Sequence, residues 1–160
     1  MSFDLGAVVN GYYGDAALTV AVGEIPAEAR RLMSATREAL EQGVACARAG
    51  GRVGDIGAAI QRHAEAAGYS VVRDFVGHGI GRALHEDPAV PNFGKPGTGV
   101  RLQAGMTLAI EPMLNAGGPE VRVSEDGWTA VTTDGSLSAH FEHTVVVTEG
   151  DPIILTDGLI

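Results

Sequence analysis

The dipeptide Asn10-Gly11 stands between two β-prone runs, and this feature restricts the fold of the chain more than any other. Residues 3–9 alternate between apolar side chains and other residues, and residues 12–22 form a second β-rich run after the dipeptide. Asn-Gly between two such runs favours a two-residue hairpin turn. The sequence therefore predicts a β-hairpin at the start of the chain.

The predicted hairpin brings two carboxylates together. Its turn places Gly6 opposite Asp15, and two residues further from the turn it places Asp4 opposite Ala17. Asp4 and Asp15 then share one face of the hairpin as diagonal neighbours. Carboxylates that point the same way repel each other unless a cation or a shared proton lies between them. The pattern fits either a solvent-exposed acidic face or one half of a metal site.

Two helices and a series of short strands are predicted after the hairpin. Apolar residues at helical spacing indicate one helix over residues 26–48, which begins at a proline, and a second, alanine-rich helix over residues 54–67. The segment 76–91 is too rich in glycine for a helix. The remaining β-prone runs are residues 69–73, 107–112, 120–123, 128–132 and 140–148.

This order of elements predicts an α+β fold in which two helices cover one face of a largely antiparallel sheet. No linker, repeat or low-complexity segment divides the chain, so we expect one domain over residues 1–160.

Composition excludes several classes of function. Twenty acidic and eleven basic side chains give a formal charge of -9 without a basic stripe, which argues against binding to nucleic acid. No apolar run approaches the roughly 20 residues of a membrane-spanning helix, and the first residues lack the regions of a signal peptide. The lone Cys46 excludes a disulfide framework and a cysteine zinc site. We therefore predict a soluble protein of the cytoplasm.

Three further residues are candidate ligands. His78 has a glycine on each side, which allows its backbone to approach a neighbour closely. Glu111 and Glu142 occur in β-prone, apolar runs, where a carboxylate costs free energy unless it has a partner or reaches water at a strand end. Four carboxylates and one imidazole without a thiolate suit two divalent ions of Mn, Fe, Co or Zn. The five candidate ligands are Asp4, Asp15, His78, Glu111 and Glu142.

Five short motifs resemble those of the type I methionine aminopeptidases, in the same order and over essentially the whole chain. The resemblance implies a pita-bread (creatinase/aminopeptidase-like) fold and a dinuclear metallopeptidase that removes the N-terminal methionine from nascent proteins when the second residue is small. The motifs are residues 2–15, Gly77-His78-Gly79-Ile80-Gly81-Arg82, His85-Glu86-Asp87-Pro88, Ile110-Glu111-Pro112-Met113 and Phe141-Glu142-His143-Thr144.

The resemblance also implies a role for each residue of the site. Asp15 and Glu142 match the carboxylates that bridge both ions, and Asp4 matches a ligand of one ion. His78 matches a ligand of the other ion, as does Glu111, which would also carry a proton towards the leaving amine. His85 matches a histidine that hydrogen-bonds the substrate near the scissile amide. The implied substrates are nascent peptides that begin with methionine, close to the ribosome.

The chain departs from the family's pattern in three places. Tyr13 stands where many members have histidine and His140 where many have glutamine, and we expect both residues to tune the site. The family's fold has two similar halves, and this sequence begins at the first ligand-bearing strand. We therefore expect a fold truncated at its N-terminal side, an incomplete substrate pocket, and self-association through an exposed face at Phe3–Val9.

Two other functions share parts of this pattern. Prolidases and aminopeptidase P have the same order of ligands on the same fold, although residues 79–82 and 111–113 favour a methionine aminopeptidase. A binding module that keeps the fold and has lost catalysis is the second alternative, but such relatives usually lack part of the ligand set.

Overall fold

The computed structural model describes residues 1–158, and the order of its elements follows the predicted one. The helices are α1 (Ala27–Ala45) and α2 (Val53–Ala66). The strands are β1 (Ser2–Val9), β2 (Tyr12–Thr19), β3 (Ser70–Val71), β4 (Gly77–Gly79), β5 (Glu86–Val90), β6 (Thr107–Ile110), β7 (Met113–Asn115), β8 (Val121–Val123), β9 (Ala130–Thr132), β10 (Ser138–His140), β11 (Glu142–Val146) and β12 (Ile153–Ile154).

The main sheet is antiparallel and has the strand order β1-β2-β11-β6-β4-β5, with β12 paired to β11. A second sheet has the order β10-β7-β3, and β8 pairs with β9. Helix α1 contacts strands of both larger sheets, and α2 packs on α1, β3 and β5. The prediction of an α+β fold with two helices and a mostly antiparallel sheet is confirmed.

The predicted hairpin forms with the predicted register. Asn10 and Gly11 both have positive φ, at 53° and 80°, as a two-residue turn of this type requires. Gly6 pairs with Asp15 and Asp4 pairs with Ala17. The turn chemistry alone was therefore sufficient to place two of the candidate ligands on one face.

Alternation along the central strands separates the core from the opposite face of the sheet. Leu108 and Ile110 of β6 and Val145 of β11 are fully buried in the core, and the two helices cover this face. The helices approach closely where Gly43 of α1 meets Ile60 of α2, since a Cβ atom on Gly43 would lie 2.8 Å from the Ile60 side chain. The other face carries the polar residues.

Two extended segments of the core each pass from one sheet to the other, and each does so next to a glutamate. Residues 107–115 pass from β6 to β7 at Glu111 and Pro112, and residues 138–146 pass from β10 to β11 beside Glu142. Pro112 has no N–H to donate to a ladder, and its carbonyl accepts the N–H of Phe141 at 3.4 Å. The break in pairing therefore places both glutamates where the two sheets join.

The structure differs from the predicted elements in the glycine-rich segment, at the end of the chain, and at Glu111 and Phe141, where the predicted strands 107–112 and 140–148 are interrupted by the change of sheet. The segment 76–91 contains the strands β4 and β5, because its glycines allow close backbone pairing that periodicity does not reveal. Strand β12 has only two residues and was not predicted. Among the described residues, no helix combines the length and apolar character needed to cross a membrane.

Candidate metal centre

The five predicted ligands lie on or beside the face of the main sheet that the helices leave open. In one row across the sheet, Asp4 pairs with Ala17, which in turn pairs with Glu142. Glu111 follows Ile110, the partner of His143, and so continues this row. In the next row, Asp15 and His78 stand at opposite sides, on β2 and β4. Two neighbouring rows therefore supply all five side chains.

Small residues between the ligands let the carboxylates converge. Ala17 separates Asp4 from Glu142, and Ala109 is the partner of His78 on the neighbouring strand. At Gly6, opposite Asp15, a Cβ atom would lie 3.3 Å from Leu84 Cδ1. A larger residue at any of these positions would occupy the space between the ligands.

Asp15, His78 and Glu142 form the centre of the cluster. Each offers a ligand atom, and these atoms all lie within 4.8 Å of one another. All three residues are buried, and Glu142 is only 1% exposed. Its Oε1 is also buried and has no hydrogen-bond partner. A buried carboxylate oxygen without a partner is costly, so this orphaned atom favours a cation at the centre.

Glu111 and Asp4 adjoin this centre from two sides. Glu111 Oε1 lies 3.5 Å from His78 Nε2, and its Oε2 lies 3.7 Å from His140 Nε2. Asp4 belongs to the exposed strand β1, yet its carboxyl group is close enough to Asp15 to raise the pKa of that group. The four carboxylates and His78 thus form one continuous group.

Burial raises the pKa of every carboxyl group in the cluster, and repulsion from neighbouring carboxylates adds to the rise at Asp15, Glu111 and Glu142. Burial is the largest cause for Glu142, whose pKa rises to about 9, with Glu111, Asp15 and Asp4 adding repulsion. The pKa of Glu111 rises to about 8, mainly through burial and then through the two aspartates. Burial also raises the pKa values of Asp4 and Asp15. Without a cation, the site therefore holds protons at neutral pH.

Glycines on both sides of His78 are required by close packing of the backbone. A Cβ atom on Gly77 would overlap the carbonyl oxygen of Ala109, and one on Gly79 would overlap that of Asp87. This overlap excludes any side chain at either position. The predicted close approach of this backbone to its neighbours is confirmed, and it seats the imidazole in a fixed position in the sheet.

The imidazole of His78 is oriented by its own strand. Its Nδ1 lies 2.8 Å from the carbonyl oxygen of Gly79, so Nδ1 carries the proton and donates it there. This tautomer leaves the lone pair of Nε2 free, as metal ligation requires. The ring of His85 packs edge-on against that of His78 with centroids 4.4 Å apart.

His85 is exposed, beside the ligands rather than among them. A shallow cavity of about 470 Å³ opens here, lined by His78, His85, Glu86 and Ala89 among others. Access from solvent to His85 and its contact with His78 suit a group that meets a substrate. Tyr13, which was expected to tune the site, contacts the segment after His78 through its backbone. Its N–H donates to the Gly81 carbonyl oxygen at 2.8 Å, and this bond connects the hairpin to that segment.

His140 shares the buried environment of the cluster. Burial lowers its pKa to about 4 although Asp15 opposes this effect, so the imidazole is neutral at neutral pH. Its Nε2 is buried and has no hydrogen-bond partner, with Glu111 Oε2 as a neighbour at 3.7 Å. This position beside Glu111 suits the tuning role expected for His140.

Sequence reasoning did not single out three polar residues that hold the site together. The side chain of the buried Asn92 donates to the Glu111 carbonyl oxygen at 3.1 Å. The hydroxyls of Thr144 and Thr19 contact the backbones of Asp15 and His140. Thr144 shares the face of Glu142 in a β-prone run, which was a usable signal, whereas Asn92 lies in a loop without periodicity.

The donor set fits divalent cations. It contains four carboxylates and one imidazole, offers an orphaned carboxylate oxygen at its centre, and includes no thiolate. Such hard ligands suit Mn, Fe, Co or Zn, and their negative charge needs compensation.

Comparisons with known proteins agree with this geometry. Residues 1–149 match Metallopeptidase family M24. The sequence is 54% identical over 156 residues to a protein of Clostridium perfringens named methionine aminopeptidase. The structure matches a methionine aminopeptidase of Thermotoga maritima with a TM-score of 0.95 and 55% identity. It also matches a prolidase of Pyrococcus horikoshii with a TM-score of 0.76 at 22% identity, a likeness that concerns the fold alone.

These matches include nearly all of this chain and part of each relative. The alignment with the Clostridium protein covers 98% of this chain and 63% of that protein. The structural match covers 97% of this chain and 62% of the Thermotoga chain. This chain therefore spans slightly less than two thirds of the length of these relatives.

Proposed function

The chain belongs to Metallopeptidase family M24, and on that premise we propose that it is a metal-dependent aminopeptidase that removes an N-terminal methionine when the second residue is small. The observation that carries this proposal is the orphaned oxygen of Glu142, buried between Asp15 and His78. The names of its relatives, at 54% and 55% identity, support methionine as the residue removed.

We propose that the site holds two divalent ions. Asp15 and Glu142, which lie centrally, would be shared by both ions. Asp4 would bind only the ion on the hairpin side, and His78 and Glu111 would bind only the other. When bound, such ions make a water molecule acidic enough to react near neutral pH and polarise a carbonyl group.

The protein's own side chains supply the remaining steps. Glu111, whose carboxyl oxygens lie beside His78 and His140 at the edge of the centre, would take up a proton and pass it to the leaving amine. His85 is suited to hydrogen-bond the substrate beside the scissile amide, since its exposed ring adjoins His78. Asp4 lies on the exposed strand β1, so a free α-amine would approach the site beside it, which would restrict cleavage to chain ends.

A peptidase assay on the purified, metal-reconstituted chain tests the function. Since the substrate pocket is expected to be incomplete, we expect weak release of methionine from Met-Ala peptides, in preference to cleavage of Xaa-Pro peptides. The opposite preference would favour the prolidase alternative. Binding of two ions without cleavage of either peptide would favour a non-catalytic module.

Replacing His85 by alanine should separate metal binding from turnover. Because His85 is exposed and is not part of the cluster of Asp15, His78 and Glu142, the variant should keep the metal content of the wild type. Its turnover should fall by roughly 10²–10⁴-fold, as expected for a lost acid–base or polarising group. Metal analysis and initial rates measure the two effects.

His63→Ala is the matched control for His85→Ala. His63 lies on α2 and contacts Glu38 at 3.2 Å, away from the site, so this variant should keep both metal content and rate. Loss of a metal ion from His85→Ala would show that the histidine is a ligand, contrary to its proposed role.

The proposed location is the cytoplasm, and the proposed partners are nascent peptides near the ribosome. The proposal follows from the substrate, because initiator methionine is present on newly made chains. A protein of charge -9 without a basic stripe is not expected to bind nucleic acid directly.

Strand β1 is a candidate surface for self-association. All eight of its residues are exposed, and it forms the edge of the main sheet. Leu5 and Val9, at 71% and 69% exposure, share a face with Phe3. Exposed apolar edge strands readily pair with other chains. We therefore expect dimers or larger species of the 160-residue chain in light scattering.

Leu5→Lys should shift these species to monomers, because a charged residue opposes edge pairing. Val123→Lys, at another exposed apolar residue, is the control and should leave the size distribution unchanged. A monomeric wild-type chain would contradict the expectation.

A further inference from the structure

The ladder between β2 and β11 is unusually short for strands that carry the two central carboxylates. It contains two residue pairs, Glu142 with Ala17 and His143 with Ala16. If this register is extended, Asp15 faces Thr144 at the next position on one side, and Thr19 faces His140 two positions beyond Ala17 and Glu142 on the other side. At both of these positions a threonine side chain, rather than a backbone group, makes the connection.

The Thr144 hydroxyl closes the ladder at Asp15. Its Oγ1 accepts the backbone N–H of Asp15 at 2.9 Å and donates to the backbone carbonyl oxygen of Asp15 at 2.7 Å. The backbone of Thr144 is engaged elsewhere: its carbonyl oxygen accepts the N–H of Leu155 at 2.9 Å, and its N–H donates to Thr156 Oγ1 at 3.2 Å. Without the hydroxyl, the backbone of Asp15 would face no partner on β11.

The Thr19 hydroxyl repeats this arrangement at the other end. Its Oγ1 accepts the backbone N–H of His140 at 2.9 Å and donates to the carbonyl oxygen of His140 at 2.8 Å. Ser2 Oγ lies 2.8 Å from Thr19 Oγ1. Both threonines are buried, at 8% exposure for Thr19 and 1% for Thr144.

These bonds leave neither hydroxyl free for chemistry. Each hydroxyl has one proton, and in both cases that proton is donated to a backbone carbonyl. Each oxygen also accepts a backbone N–H. The two hydroxyls therefore do not serve as nucleophiles or as donors to substrate, and their remaining action is on the backbone that carries the ligands.

We propose that Thr144 and Thr19 are positioning residues that set the separation of Asp15 from Glu142 at the metal centre. Thr144 fixes the backbone of Asp15 against β11, and Thr19 fixes His140, two residues before Glu142. The inference rests on the metal-binding part of the proposed function. It predicts that the hydroxyls contribute to metal affinity beyond any effect on folding.

Co(II) titration of the full chain tests the inference through affinity and through the visible spectrum of the bound metal. Thr144→Val keeps the shape of the side chain and removes the hydroxyl. We expect its dissociation constant for Co(II) to rise by about 10–100-fold, the usual effect of losing an outer-shell partner. Thr19→Val should weaken binding about 10-fold. The Co(II) absorption bands should shift in both variants.

Two further variants distinguish positioning from general stability. Thr144→Ser keeps the hydroxyl and should bind Co(II) within about three-fold of the wild type. Thr36→Val removes an equally buried hydroxyl, which donates to the Leu32 carbonyl oxygen within α1 at 2.8 Å. This variant should lose stability and keep both the wild-type affinity and the wild-type spectrum.

The outcomes separate the inference from the proposed function. Wild-type binding together with unchanged affinity and spectrum in Thr144→Val and Thr19→Val would overturn the inference alone. Equal weakening in Thr36→Val would also overturn it. Absence of Co(II) binding by the wild type would overturn the proposed metal centre and the inference with it. If Thr144→Val does not fold, weakened binding in Thr19→Val supports the inference and unchanged binding overturns it.

Discussion

Replacing either Asp15 or Glu142 by alanine is expected to abolish binding of two ions and to remove peptidase activity. These residues lie at the centre of the cluster, where one carboxylate oxygen of each lies within 4.8 Å of the other and of a ring nitrogen of His78. A carboxylate shared by two ions compensates the charge of both, so its loss removes a ligand from each ion at once. Calorimetric titration should show at most one weakly bound ion in either variant.

Asp4→Ala provides the graded comparison. Asp4 stands at the edge of the cluster on the exposed strand β1, and its proposed role concerns one ion. Its replacement should weaken the binding of one ion and leave the binding of the other unchanged. Asp151→Ala, at an exposed carboxylate paired with Arg48, should change neither. Two tightly held ions in Asp15→Ala or Glu142→Ala would falsify the proposed bridging roles.

The positions of the hairpin carboxylates could be predicted from sequence because short-range rules determine them. The turn at Asn10 and Gly11 fixes the register, and the two-residue period of a strand then fixes the face of Asp4 and Asp15. Both rules act within a few residues along the chain. No contact with a distant segment is needed to apply them.

The convergence of the glutamates depends on contacts that a sequence pattern does not contain. Glu111 and Glu142 meet because two long strands change sheet at the same point, next to Pro112. The pattern of each run indicated a strand with a carboxylate near its end. Which strands become neighbours is decided by packing on the helices, and for these two residues the family resemblance supplied what local patterning did not.

The positioning residues are harder to predict from the sequence than the two glutamates. The side chain of Asn92 donates to the backbone carbonyl oxygen of Glu111. The hydroxyls of Thr19 and Thr144 form hydrogen bonds with the backbones of His140 and Asp15. Bonds from a side chain to a distant backbone follow from the three-dimensional path of the chain. Polar residues in β-prone or loop segments are too common for their type alone to indicate this role.

Metal binding near pH 7 is expected to release protons, and the metal-free protein is expected to lose stability as the pH rises. Burial and neighbouring carboxylates raise the pKa of Glu111 to about 8 and that of Glu142 to about 9 in the folded protein. Both groups therefore carry protons at pH 7. A cation that binds them must displace these protons, so the apparent affinity should increase with pH.

The sign of the stability change follows from the direction of these shifts. The usual pKa of both groups is 4.5, which applies in the unfolded chain. Between that value and about 8 to 9, the folded protein binds more protons than the unfolded chain. The free energy of unfolding therefore falls as the pH rises through this range, by on the order of several kcal/mol. Below the unfolded pKa, this contribution is fully present.

Two measurements check the linkage, and one variant isolates it. Titration of metal at pH 7 in buffers of different ionisation enthalpy should reveal release of about two protons per site filled. Urea unfolding of the metal-free protein should give a free energy that decreases from pH 5 to pH 8. Glu142→Gln removes one of the two titrating groups, so it should reduce the slope of the metal-free protein's stability against pH. If the stability of the metal-free protein is constant or increases over this range, the two glutamates are already ionised at pH 5. The buried oxygen of Glu142 that lacks a hydrogen-bond partner would then belong to a charged group, contrary to the expected protonation.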